Sequence, residues 1–325
     1  MLFKKKASWP PYRMVEENIA QRAEDRLDKL ERLYHIGQNN IWDGKKVLAD
    51  LIAKHGKPKL DPTRKEAALK ILSILLWGEL AAWAISADLA ERIDDVEAKL
   101  AATSQAHDEA RHFYVLRDYL RALGEPVPHL GGIARRLLLK ILETDSLVHK
   151  LVGMQLLVES NALSLFRGLV EAKLEPVLEE LLPYYETDEA RHVGLGVMYL
   201  PRLLKTLNRR ESLEVAAFQL RCVGFLMTGG LTLREDFRAL GMEPRNLAKH
   251  TIKLQSDIVA EMMATGGTRR RRDAVRGLLD PGKGFGPNIV DFIHPPGGVA
   301  NAPAWHRAIL AVWTRSAMIA DRALA

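Results

Sequence analysis

The pentapeptide Asp-Glu-Ala-Arg-His occurs twice in this chain, at 108–112 and again at 188–192. In each copy a glutamate and a histidine stand three positions apart, Glu109 with His112 and Glu189 with His192. On a helix that spacing puts both side chains on one face, one turn apart, so that each pair can grip one ion. Two more glutamates precede them at a matching interval: Glu79 lies thirty residues before Glu109, and Glu159 thirty before Glu189. Both sit in apolar stretches, ILLWGELAAWAI and GMQLLVESNALSLF. An ionised carboxylate there must be paired, protonated or bound to a cation, because desolvating it alone is prohibitive.

A single Glu-x-x-His usually marks a solvated helix face, and a single buried glutamate usually has an arginine partner. Four carboxylates and two imidazoles arranged as an internal repeat are a different matter, and they form a complete ligand set for two adjacent metal ions. Mixed oxygen and nitrogen donors favour iron or manganese, with zinc as an inactive alternative occupant, and six ligands shared by two ions leave coordination positions open. Open positions on a redox metal pair are what dioxygen activation needs, so two iron ions, or a Mn/Fe pair, with O2 as co-substrate are the expected cofactors.

Around these six, Asp108 and Asp188 precede the glutamates, and Arg111 and Arg191 precede the histidines. A metal-bound imidazole donates its other nitrogen to a carboxylate, which orients the ring. Each Asp is therefore expected to support a histidine, from the opposite half, with the arginines balancing the buried aspartates. Tyr185 and Glu186, about one turn before Glu189, complete the candidates: an aromatic core residue whose hydroxyl could approach the metals, and either a seventh ligand or proton carrier or a residue of a solvated face.

Helical periodicity dominates the elements that must position these residues. Amphipathic helices are expected at 12–33 and 42–54, and longer apolar ones at 62–93, 94–123, 133–172 and 175–207. A kink or interruption is expected at Pro183 and Pro201, which fall inside the last of these. Further helices are expected at 210–240, 244–264 and 303–324, with a Gly- and Pro-rich irregular stretch at 280–303. No segment shows strand alternation, so the class is all-α. The organisation read from this is an N-terminal helical extension (1–61), a four-helix unit carrying the repeat (62–207) and C-terminal helices packed on it (208–325).

Composition narrows the function classes. The single cysteine, Cys222, excludes an intramolecular disulfide and thiolate zinc or iron–sulfur ligation, and fits a reducing, cytoplasmic setting. The N-terminal MLFKKKASWPPY is not followed by the apolar run of a secretory signal. The most lipid-like stretch, 71–90, carries Glu79 at its centre, so no membrane span is expected. A net charge of +6 is compatible with anionic partners without selecting one. The run Arg269 to Arg272 reads as a solvated loop beside Gly266 and Gly267, with an anion-binding role as the alternative.

With these residues in place, 62–207 resembles the ferritin-like di-iron carboxylate superfamily. Its Asp-Glu-Ala-Arg-His form looks most like bacterial multicomponent monooxygenase hydroxylases and acyl carrier protein desaturases. The resemblance implies a ferritin-like four-helix bundle in which Glu79, Glu109, His112, Glu159, Glu189 and His192 are the catalytic metal ligands. Three departures are informative. Leu116 stands where the ribonucleotide reductase small subunit carries a radical tyrosine, Leu163 where multicomponent monooxygenases place a threonine, and Tyr185 where arylamine N-oxygenases add a third histidine.

The expected function is an oxygen-dependent oxidase or oxygenase acting on an organic substrate, apolar or acyl, that lies among residues a turn from the ligands: Leu75, Trp83, Leu116, Leu156, Leu163 and Leu195. An electron donor such as ferredoxin or a reductase, and a homodimer, complete the expected partners. A tRNA-type nucleic-acid hydroxylase is the first alternative, although no motif of basic residues interleaved with aromatics supports nucleic-acid binding. A ferroxidase or iron-storage protein is the second; the helices flanking the repeat argue against a compact storage cage.

Overall fold

The computed structural model describes residues 25–126, 129–266 and 290–322, and among them there is no strand. Four long segments form the central bundle: α3 (Lys65–Arg92), α4 (Val96–Leu123), α7 (Glu159–Glu171) with the π-helical turn before it (Val152–Val158), and α8 (Pro176–Thr206). α3 packs along α4, α7 along α8, and α4 crosses to α8. On the other side of α4 and α8 lie α1 (Asp25–Asn39) and α2 (Gly44–His55). The rest comprises α5 (Gly132–Leu142), α6 (Leu147–Leu151), α9 (Arg209–Thr232), α10 (Arg234–Ala239), α11 (Pro244–Gly266) and α12 (Ala304–Arg322).

Local chemistry sets the ends of these helices. Gly124 closes α4 in the left-handed conformation (φ 78°), which costs a residue without Cβ nothing. α8 begins with Pro176, where a missing N–H is no loss, and buried Glu175 caps it by accepting from the Leu178 N–H (3.0 Å) and from the Tyr119 hydroxyl (2.9 Å). Asn208 and Glu211 form a reciprocal capping box at the start of α9.

Three expectations need correction. The segment 133–172 is not one helix: it breaks after α5 at Thr144 and Ser146, where the Ser146 hydroxyl caps α6 by accepting from the His149 N–H (3.3 Å), and then passes through the π turn. Its sequence signal was the polar cluster Glu-Thr-Asp-Ser, a common turn composition. Conversely, α8 runs through Pro183 and Pro201 without interruption. The segment 210–240 divides into α9 and α10 at Leu233. The expected helix at 12–33 is seen from residue 25 on; its first part, the Arg269 to Arg272 run and 280–289 lie outside the described residues.

The core has two apolar halves with a polar layer between them. Leu72, Leu76, Leu116, Leu120, Phe166 and Leu178 are buried in one, and Ile85, Leu89, Ala98, Leu157, Leu195 and Leu200 in the other. Along each of the four bundle segments the chain leaves one half, passes a glutamate or Glu-x-x-His, and enters the other. Four polar stations therefore meet at one level. Among the described residues two helices are long and apolar enough to cross a bilayer, α3 and α9; α3 turns much of that surface onto its bundle neighbours, whereas α9 leaves Leu213 and Leu220 exposed.

Candidate metal centre

The six side chains singled out by the repeat converge at that level, and each is at most 5% exposed. They fall into two groups whose donor atoms lie within 4.8 Å of one another: Glu79, Glu109, His112 and Glu189 in one, and Glu109, Glu159, Glu189 and His192 in the other. Glu109 and Glu189 belong to both. Each splits its oxygens between the histidines, Glu109 with Oε2 3.6 Å from His112 Nδ1 and Oε1 3.0 Å from His192 Nδ1. Glu189 does the same, with Oε1 at 3.3 Å and Oε2 at 3.0 Å. Glu79 approaches only His112 Nδ1 (3.3 Å), and Glu159 completes the other group.

The donor set fits a pair of divalent cations. Four carboxylates and two neutral imidazoles carry the charge that two such ions would neutralise. Glu109 Oε2, Glu189 Oε1 and His112 Nδ1 are buried with no hydrogen-bond partner among the described residues although they face one another, which is costly unless something else occupies the space between them. Protonation chemistry agrees. Burial pushes the Glu79 and Glu159 carboxyls well above the usual range. Burial acts the same way on Glu109, but the two histidines outweigh it and hold this carboxyl low.

Outside the six, the two halves exchange support. Asp188 Oδ2 lies 3.1 Å from His112 Nε2, and Asp108 Oδ2 lies 3.4 Å from His192 Nε2. Each Asp thus steadies the histidine of the other repeat and favours the tautomer that leaves Nδ1 to face the carboxylates. Burial alone would lower both rings, but these aspartates and the clustered glutamates raise them well above the ordinary histidine range. Arg111 donates to Asp108 (2.5 Å) and Asp188 (2.8 Å), and Arg191 donates to Asp108 (3.0 Å) and Asp188. Two buried aspartates and two buried arginines make a closed, charge-balanced ring.

Residues without a motif contribute as well. Trp42, in the loop between α1 and α2, donates its indole N–H to Asp188 Oδ2 (2.8 Å) and lies under the Arg111 guanidinium (4.8 Å to the ring centroid). α1 approaches closely enough because residue 37 is glycine: a Cβ there would fall 2.3 Å from Ser104 Oγ and 2.6 Å from Arg191 Nη1. Gln105, one turn before Glu109, donates to Glu109 (3.2 Å) and Glu159 (3.1 Å), and Gln155 in the π turn donates to Gln105 (3.3 Å). Gln105 was discoverable, since a polar residue four before a ligand shares its face. For Trp42 and Gln155 there was no periodic signal.

The π turn just precedes Glu159, and side chains bond to carbonyls at its end. Asn161 donates to Leu157 O (2.6 Å), and Ser160 and Gln255 both donate to Leu156 O (2.5 Å each). Such turns concentrate at functional sites.

Two candidates behave differently from the rest. The Tyr185 hydroxyl donates to the main-chain carbonyl of His112 (2.8 Å) and its ring stacks on the His112 ring (4.3 Å between centroids), so it props the histidine from behind. Tyr185→Phe should cost about 1 kcal/mol of stability, read by denaturant melts, and leave metal content unchanged. Glu186 lies outside both donor groups, and its carboxylate is 3.9 Å from the Arg167 guanidinium. Trp83 is also 40% exposed and does not line the interior. Gly153 and Gly196 serve close packing, against Ile141 and against Gln155 with Leu156.

No family model matches this chain, and no curated relative matches it either. Solved structures do. A protein from Synechococcus with aldehyde deformylating oxidase activity superposes with a TM-score of 0.56 at 19% identity, over 66% of this chain and 98% of that one. A single-site variant of an R2-like ligand-binding oxidase with a Mn/Fe cofactor gives 0.56 at 20% identity, over 77% and 98%. Another, with an Fe/Fe cofactor, gives 0.55 at 20% identity, over 71% and 92%.

The fold is ferritin-like. At such identities the likeness establishes architecture and no more. Within this ferritin-like bundle the two-group cluster stands on the chain's own side chains.

Proposed function

We propose that this chain is an oxygen-dependent di-metal oxidase, holding an Fe/Fe or Mn/Fe pair and carrying out a two-electron oxidation of an apolar or acyl organic substrate. The observation that carries the proposal is the sharing of Glu109 and Glu189 between two buried donor groups, each completed by its own glutamate and its own Asp-backed histidine. Glu79 and His112 would hold one ion, Glu159 and His192 the other, with Glu109 and Glu189 bridging. When bound, such a pair supplies two reducing equivalents to dioxygen at one place.

The protein's own residues orient and insulate that chemistry. The ring of Asp108, Asp188, Arg111 and Arg191 locks both imidazoles, and Gln105 restrains the Glu109 and Glu159 carboxylates. Leu75, Leu116, Leu156 and Leu195 are buried above and below the polar layer and exclude water, which suits an apolar substrate better than a charged one. Asp188 hydrogen-bonds to His112 on one side and half-buried Trp42 on the other, joining the cluster to the α1–α2 loop and giving an external electron donor a contact point.

The test is anaerobic loading with Fe(II), or Mn(II) plus Fe(II), followed by measured oxygen uptake and mass spectrometry of organic molecules bound to the purified protein. Two ions per chain, and oxygen consumed without accumulation of a ferric mineral, are expected. A native mass corresponding to a many-subunit cage with hundreds of ferric ions would replace the proposal with iron storage.

A further inference from the structure

A cavity of about 410 Å3 lies away from the metal cluster and shares no residue with it. It opens between α10, the first turn of α11 and the segment at 294–299, and is lined by Arg234, Arg238, Glu243, Arg245, His294 and Val299, among others. Its volume is that of a small-molecule site. α10 is anchored to the bundle: Lys70 of α3 pairs with Asp236 (2.7 Å), and Arg64 donates to the Leu240 carbonyl.

The arginines are unevenly neutralised. Arg238 pairs with Glu235 and Arg245 with Asp291, but those carboxylate side chains are 78% and 47% exposed, and solvent-screened pairs of this kind hold little energy. Arg234 is different. It is only 9% exposed, donates from Nη2 to the Ile293 carbonyl (2.5 Å), has no ion pair among the described residues, and its buried Nε has no partner. A guanidinium left this way is expensive unless an anion completes it. The resulting field is felt at His294, whose ring is pushed down to about 4 by burial and then by Arg234, Arg238 and Arg245, so it stays neutral near pH 7. α11, which is 23 residues long, also turns its N-terminal end toward the cavity, adding the positive end of its dipole.

We propose that this cavity binds a phosphate monoester, its head held by Arg234, Arg238 and Arg245 and its organic part lying against the Val299 side. Arg234 has no carboxylate partner among the described residues, and Arg238 and Arg245 hold theirs only in solvent-screened pairs, so three guanidinium groups line the cavity for a tetrahedral head that they can approach from several directions. A carboxylate offers one charge and one plane. The site is independent of the oxidase reading, since none of its residues touches the metal ligands.

Binding is measured by calorimetric titration of phenyl phosphate into the metal-loaded full chain, with inorganic phosphate, acetate and chloride at equal ionic strength as the comparison probes. Phenyl phosphate is expected to bind most tightly, inorganic phosphate next, and acetate and chloride without saturation. Arg238→Gln, a partly exposed residue whose loss leaves the fold intact, should weaken phenyl phosphate about tenfold, and Arg234→Gln by at least as much. Glu243→Gln should tighten it severalfold, a gain that damage to the fold cannot imitate. Glu159→Ala should leave the affinity unchanged. Tighter binding of acetate than of phosphate, no response to Arg238→Gln, weaker binding in Glu243→Gln or loss in Glu159→Ala would each overturn the proposal.

Discussion

Glu109→Ala is expected to take metal content from two ions per chain to nearly none, whereas Glu79→Ala should leave close to one. The difference follows from membership: Glu109 is in both donor groups and Glu79 in only one. Losing a shared carboxylate strips each ion of a ligand and removes the charge that offsets their mutual repulsion, a loss of affinity on the order of a hundredfold or more at each position. Losing Glu79 leaves Glu109, Glu159, Glu189 and His192 intact around the other position. The bundle should remain helical in both variants, since deleting one buried carboxylate also relieves repulsion in the metal-free chain. Elemental analysis after dialysis, with circular dichroism alongside, reads the outcome; two ions retained in Glu109→Ala would refute the bridging assignment. Because burial raises the Glu79 and Glu159 carboxyls, metal uptake should also release protons and weaken as pH falls.

Asp188→Ala carries the largest expected cost to stability. This one carboxylate accepts from the Trp42 indole, Arg111 and Arg191, and contacts His112 Nε2, while only 1% exposed. Its removal leaves two buried guanidinium groups to share the single carboxylate of Asp108, a loss of about 3 kcal/mol, and frees the His112 ring, weakening metal binding by roughly ten- to a hundredfold. The sign of the pH effect is definite. Burial would raise the Asp188 carboxyl, but His112, Trp42 and Arg111 hold it far below the ordinary aspartate range. A depressed carboxyl contributes its stability above the unfolded-state value of about 4 and loses it as pH falls further. Denaturant melts of the metal-free protein should show the wild type losing stability below that pH, with a shallower loss in Asp188→Ala. Asp188→Asn, which keeps the shape but not the charge, should lie between them; equal stability of all three proteins would exclude the closed ring as a structural element.

Much of the centre is legible in the residues alone, because its information is local. Glu-x-x-His places two donors on one helical face whatever surrounds it, and a glutamate inside Leu- and Ala-rich sequence already requires a counter-charge. The equal intervals from Glu79 to Glu109 and from Glu159 to Glu189 tie the two halves together. Helix ends follow where glycine, proline or a capping side chain states them, as at Gly124 and Pro176.

What depends on packing is out of reach of such patterns. Periodicity reports which face of a helix is buried, not which neighbour it meets or at what height, so only the assembled bundle determines that Glu109 and Glu189 are shared while Glu79 and Glu159 are not. For the same reason Tyr185, one turn from Glu189, props His112 from behind, and Glu186 faces Arg167 instead of the carboxylate–histidine cluster. Trp42 reaches Asp188 across 146 positions of chain, a closeness that no local pattern encodes. At the π turn before Glu159, Ser160 and Asn161 bond to nearby carbonyls, but Gln255 reaches the Leu156 carbonyl from α11, 99 positions away. The candidate donors are written in residue type and spacing along one helix, whereas their division into two groups, the partners behind each of them and the arginine-lined cavity arise from side chains that meet only when separate helices pack.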